Sequence, residues 1–197
     1  MVAKEPEHNK LDVLLFENEG EWLAWLETNH ASSSGVWLRL AKKNATLCSV
    51  SYAQALEVAL CFGWIDGQKK TFDSNFWLQK FTPRARKSLW SKVNRDKANA
   101  LSESGQMRPA GLREVERAKE DGRWEAAYDP ASQAEVPEDF EAQLDAHPKA
   151  REFFDGLNKQ NRYAILFRLQ TAKKPETRAK RMEGFVSMLE KGEKIYP

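Results

Sequence analysis

At Ser88 the apolar residues of this chain change their spacing from every second position to every 3.6, and they do not change back. Period two sets successive side chains on opposite faces of a strand, while a 3.6-residue period lines them along one face of a helix. The order predicts an α+β protein: a small antiparallel sheet packed by helices, followed by an all-helical C-terminal region. The polar, turn-rich segment Tyr128 to Val136 reads as the linker. It leaves an α+β domain over residues 11–128, with helices after residue 88, and a helical C-terminal domain over 137–192.

Before the switch, Val13 to Phe16 reads as a short edge strand. Asn18 can cap a helix whose first turn holds Glu19 and Glu21 and whose apolar face is Trp22, Leu23, Trp25 and Leu26. Val36 to Leu40 alternates, with Val36, Leu38 and Leu40 on one face. Ser51 and Gln54 have the spacing of a capping box. The stripe Tyr52, Ala55, Leu56, Ala59, Leu60, Gly63 follows at helical spacing, and Gly63 sits where a helix ends in a left-handed residue. Trp64 to Gly67 is expected to turn the chain. Gln68 to Phe72 and Asn75 to Thr82 then form a hairpin joined at Asp73-Ser74. In its second strand Trp77, Gln79 and Phe81 share one face and Phe76, Leu78 and Lys80 the other.

After the switch, Pro and Gly punctuate the helices. The spacing predicts helices over Ser88 to Ser104, Pro109 to Asp121, Pro137 to Ala146, Pro148 to Leu157, Asn158 to Lys173 and Pro175 to Lys191.

The 197 residues are enough to bury a core without staples. With 41% hydrophobic and 30% charged residues the chain groups with globular proteins. Its 31 basic against 29 acidic side chains are too balanced to point to nucleic acid by charge alone. Cys48 and Cys61 form no C-x-x-C pair and read as reduced thiols. Residues 1–10 read as a polar tail, and the four apolar residues from Val13 make neither a signal peptide nor a membrane span. A cytoplasmic protein is expected.

Three constellations can carry chemistry. Arg84, Arg86 and Lys87 precede an expected helix start at Ser88, where free N–H groups and the positive end of the helix dipole favour a phosphate or carboxylate. Lys69, Lys70, Lys80 and Lys92 are near enough in sequence to enlarge such a site, and Trp64, Trp77 and Trp90 offer stacking surfaces. The alternative is a solvated edge beside core tryptophans. Asp66, before Gly67, is either a general base or the hydrogen-bonding residue of a turn. In the tail Arg162, Arg168, Lys173, Lys174, Arg178, Lys180 and Arg181 alternate with apolar residues. They form either a basic docking hairpin or two packed helices whose long side chains cover their edges. His8, His30 and His147 are scattered singly, so no metal site is expected. No dinucleotide, P-loop or serine-nucleophile motif is present, and no cofactor is expected.

Several blocks carry a family resemblance. They are Leu60 to Gly67; Phe81-Thr82-Pro83-Arg84; Ser88, Trp90, Ser91 and Asn94; and Gly105 to Gly111. They continue with Ala118-Lys119, Asp121 to Trp124 and Tyr128, then Ala172-Lys173 with Glu176-Thr177-Arg178 and Arg181. From about Phe16 to Gly192 the chain resembles the bacterial YdeI/OmpD-associated, or bacteriocin-protection, family. The resemblance implies a role in tolerance of antimicrobial peptides or envelope stress, and a helical terminal domain. It implies no reaction.

The residues together predict a binding protein with a ligand site at Trp64, Asp66, Arg84, Arg86, Lys87, Ser88 and Trp90. The ligand is a small anion or a protein partner. One rival is an enzyme acting on a small anionic substrate with Asp66 as acid/base. The other is a nucleic-acid binder using the basic tail.

Overall fold

The computed structural model describes residues 11–197; the polar tail expected over 1–10 lies outside the described residues. Two compact units divide the chain, Met1–Ser88 with Asn94–Glu125 and Leu89–Val93 with Ala126–Pro197.

The first unit opens with β1 (Val13–Leu14), α1 (Glu19–Asn29), β2 (Val36–Ala41) and α2 (Tyr52–Cys61). It continues with β3 (Trp64–Thr71), β4 (Phe76–Pro83), most of α3 (Lys92–Glu103) and α4 (Pro109–Glu120). The α+β class is as expected. The sheet order is β1-β2-β4-β3, antiparallel except at the β1 edge, which runs parallel to β2.

Local signals placed the first helices. The Asn18 side chain accepts from the Glu21 N–H at 3.1 Å. Ser51 and Gln54 close a capping box on α2, and Gly63 ends that helix at φ +72°. Both helices pack on one face of the sheet, where Val36, Leu38 and Leu40 of β2 lie opposite Phe81, Gln79 and Trp77 of β4. Trp22 of α1 is wholly buried, its ring 5.8 Å from Phe81, and its Nε1–H donates to the Ala55 carbonyl of α2 at 3.1 Å.

Two expectations are corrected. Trp64 to Gly67 is not a turn: β3 starts at Trp64, directly after Gly63, and pairs with β4 from Trp64↔Pro83 onward. The Asp66-Gly67 pair instead opens a bulge, the register shifting between Asp66 and Lys69. A bulge leaves carbonyls without ladder partners. The buried Gln79 supplies them, its Nε2 donating to the Gly67 oxygen at 2.9 Å and the Gln68 oxygen at 3.3 Å. Tyr52, expected on the buried stripe, is 39% exposed because the first turn of α2 carries its hydroxyl outward to Asp66.

The second unit holds α5 (Glu138–Ala146), α6 (Pro148–Asp155), α7 (Lys159–Gln170) and α8 (Pro175–Glu190) around Phe140, Leu144, Phe154, Ile165, Leu169 and Leu189. A third correction concerns the helix expected from Ser88. It begins only at Lys92, because Trp90 to Lys92 is taken up in extended pairing with Tyr128. The Tyr128 N–H donates to the Trp90 oxygen at 3.0 Å and the Lys92 N–H to the Tyr128 oxygen at 2.9 Å.

Arg178 ties α8 to the start of α5. Its guanidinium donates to both Asp139 oxygens, at 2.8 and 2.7 Å. These hydrogen bonds hold the Asp139 carboxyl below its ordinary value of 3.8. A depressed folded-state value stabilises the fold above the unfolded one and loses that stabilisation as pH falls through the folded value. We therefore expect the wild-type melting temperature to fall on acidification below about pH 4, the aspartate range. Asp139→Asn should melt lower at neutral pH and lack this component. Equal melting of the two proteins at pH 7 would refute the assignment.

Candidate functional site

The β3–β4 ladder brings part of the expected site together. Trp64 faces Pro83, Asp66 faces Phe81, and the Arg84 N–H donates to the Gly63 oxygen at 3.0 Å. Three of the named side chains are nevertheless interior. Trp64 is 1% exposed and donates from Nε1 to the His30 oxygen at 3.2 Å. Arg84 is 5% exposed, and Trp90 is buried in the second unit. Arg86 and Lys87 are exposed on the turn after β4, closed by the Ser88 N–H donating to the Ala85 oxygen at 2.8 Å. Neither cation has an ion-pair partner among the described residues. Ser88 caps no helix; its carbonyl accepts from Nη1 of the buried Arg123 at 2.8 Å. The cations therefore stand at a strand end rather than against a helix dipole.

Asp66 is half-buried on the helix-covered face, where the Tyr52 hydroxyl donates to its Oδ2 at 2.8 Å. The Tyr52 ring lies 6.0 Å from that of Trp77. Beside Trp77, Lys69, Lys70 and Thr71 line an open cleft of about 360 Å³. Trp77, named from the sequence as a stacking surface, stands here, and Tyr52 is the site neighbour that sequence reasoning missed. The signal for Tyr52 was its place at the first position of a capped helix, where a side chain can miss the core.

The tail arginines are engaged internally. The Arg162 guanidinium lies 4.7 Å from the centroid of the Phe154 ring. Arg168 donates to the Ala164 oxygen at 2.8 Å. Arg178 and Arg181 donate to the Leu169 and Arg168 oxygens, at 2.8 and 2.5 Å, and so satisfy the last carbonyls of α7. Of the seven basic residues named in the tail, Lys173, Lys174 and Lys180 remain as exposed cations.

Cys48 and Cys61 are both free. Burial pushes the Cys61 thiol up to about 11, so at neutral pH it stays protonated and unreactive. Among the described residues no His/Cys/Asp/Glu group has the makings of a metal site, and no helix is long and apolar enough to cross a membrane.

A family model described as a domain of unknown function, DUF8412, matches residues 14–114, just over half of the chain. The chain belongs to that family. A second model, described as bacteriocin-protection, YdeI or OmpD-associated, matches residues 133–192. The family resemblance is thus shown, through the helical C-terminal domain, while the blocks from Leu60 to Gly111 fall under the first model. No curated protein and no solved structure matches the chain.

Proposed function

We propose that this chain acts in tolerance of antimicrobial peptides as a cytoplasmic binding protein without chemistry of its own, its ligand a small anion taken at the turn after β4. One observation carries the ligand class: Arg86 and Lys87 stand side by side, exposed and without a carboxylate partner among the described residues. Arg84 and Trp64 behind them form the rigid end of the β3–β4 ladder. The family of the C-terminal domain supports the biological role, and two free thiols suit a reducing compartment.

The test is a thermal-shift screen with inorganic phosphate, nucleotides and sugar phosphates on the wild type and on Arg86→Ala/Lys87→Ala. Arg84 is too buried to serve as the probe. A ligand at 100 times its dissociation constant should stabilise the protein by about 2.7 kcal/mol. The double variant should keep its unliganded melting temperature and lose the shift. A shift unchanged in the variant moves the site elsewhere; no shift with any anion favours a protein partner. The enzyme reading keeps one point in its favour, the Asp66–Tyr52 pair beside the Trp77 cleft. It requires turnover of one of these anions that Asp66→Asn abolishes.

A further inference from the structure

The sheet has a second face, and its composition differs from the first. Residues directly opposite in a ladder share a face, and alternate residues along a strand do too. The register therefore places Trp37 and Arg39 of β2, Ile65 and Lys70 of β3, and Leu78 and Lys80 of β4 together, with Val13 at the edge and Phe76 near the hairpin. Trp22 and α2 lie over the opposite face. Here Phe72 is 46% and Val13 45% exposed.

What lies over this face is charge. Lys70 reaches across from β3 to hold its ammonium 4.5 Å from the Trp37 ring centroid. The Arg39 guanidinium sits 4.5 Å from the centroid of Phe76 and 5.2 Å from that of Phe72, its Nε buried without a hydrogen-bond partner. The Lys80 stem runs beside Gly67, within ordinary van der Waals contact of a Cβ placed there. Among the described residues none of the three cations has an ion-pair partner, and the register puts no Asp or Glu on this face.

We infer that this face binds single-stranded nucleic acid. Flat rings alternating with unneutralised cations match a chain that alternates planar bases with phosphates, and bases stack on aromatic side chains with little regard to sequence. The exchange on binding is direct: a base takes the Trp37 ring, and the displaced Lys70 ammonium takes the adjoining phosphate. A duplex hides its base faces and offers only the phosphates. An anionic membrane needs a contiguous protruding apolar surface, whereas Phe76 lies beneath Arg39 and the exposed Phe72 and Val13 stand apart, one at the β3–β4 hairpin and the other on the β1 edge. The site is separate from the turn at Arg86 and Lys87.

Fluorescence anisotropy with a labelled oligothymidylate of about 20 nucleotides, longer than the roughly 16 one small sheet fold covers, tests this on the full chain. Three cations on three phosphates predict that log K falls with log salt at a slope of about −2 for a single strand. Lys70→Ala/Lys80→Ala should flatten the slope to about −0.7. Phe72→Ala, at an exposed position, should weaken binding about tenfold, with the melting temperature of both variants held as a folding control. Equal affinity for a duplex of the same length would overturn the proposal, as would binding that survives the lysine substitutions. Binding to phosphatidylglycerol vesicles with none to the oligonucleotide would assign the face to a membrane surface instead.

Discussion

Trp22→Ala should lower the unfolding free energy of the first unit by about 3–5 kcal/mol, the range for emptying a buried aromatic site. Trp22 has no exposed surface, stacks on Trp25 at 5.3 Å and meets Trp64 edge-on at 6.3 Å. Its Nε1–H is also the hydrogen bond that joins α1 to α2. With whole-domain stabilities of about 5–15 kcal/mol, the loss is enough to bring part of the population near unfolding at 37 °C. Trp22→Phe separates the two contributions. It keeps most of the packing and removes the hydrogen bond, so about 1 kcal/mol plus a small cavity cost is expected. Urea titrations followed by circular dichroism measure both. A Trp22→Ala loss below about 1 kcal/mol would mean that the aromatic cluster is not the centre of the unit.

Gly111→Ala should be the second large effect, and its sign is opposite to helix propensity. Alanine in a helix is better than glycine by about 1 kcal/mol. At position 111, however, a Cβ would meet the Cys61 oxygen at 2.3 Å and the Leu60 oxygen at 2.7 Å. Both are backbone atoms at the end of α2 and cannot rotate away. The Cys61 oxygen also accepts from the Arg108 N–H at 3.0 Å, the bond that seats the start of α4. Overpacking costs about 1–3 kcal/mol where side chains can yield and more where they cannot, so the net loss should reach about 2 kcal/mol or more. Gly184 of α8 is the control: nothing stands within 4 Å of its would-be Cβ, and Gly184→Ala should stabilise by up to about 1 kcal/mol. If both substitutions stabilise, α2 and α4 are not in backbone contact at Gly111.

Helix boundaries were legible because the groups that set them are three or four residues apart. Asn18 with Glu21 and Ser51 with Gln54 make their capping bonds inside one turn, and both caps read correctly from the residues; Asn158, read only as a helix start, caps α7 in the same way. The strand faces of β2 and β4 read correctly for a similar reason, since alternation is a property of each strand alone. The errors fall where a distant segment overrides a local signal. Ser88 looks like a cap, but Tyr128, forty positions away, holds Trp90 to Lys92 extended. Asp66-Gly67 looks like a turn, but β4 pairs with Asp66, and Gln79 repairs the bulge that opens after it.

The same division holds for the candidate sites. The sequence alone determined the α+β class with its helical C-terminal region, the capped starts of the first two helices, and the concentration of cations around residues 84–87 and along the tail. Only the tertiary structure decided what those cations do. Folding buries Arg84, sets Arg178 and Arg181 on helix carbonyls, and lays Arg39 and Lys70 over aromatic rings from other parts of the sheet. A charge is neutralised or left available by what folding brings within a few ångströms of it, and nothing in the order of residues states those distances.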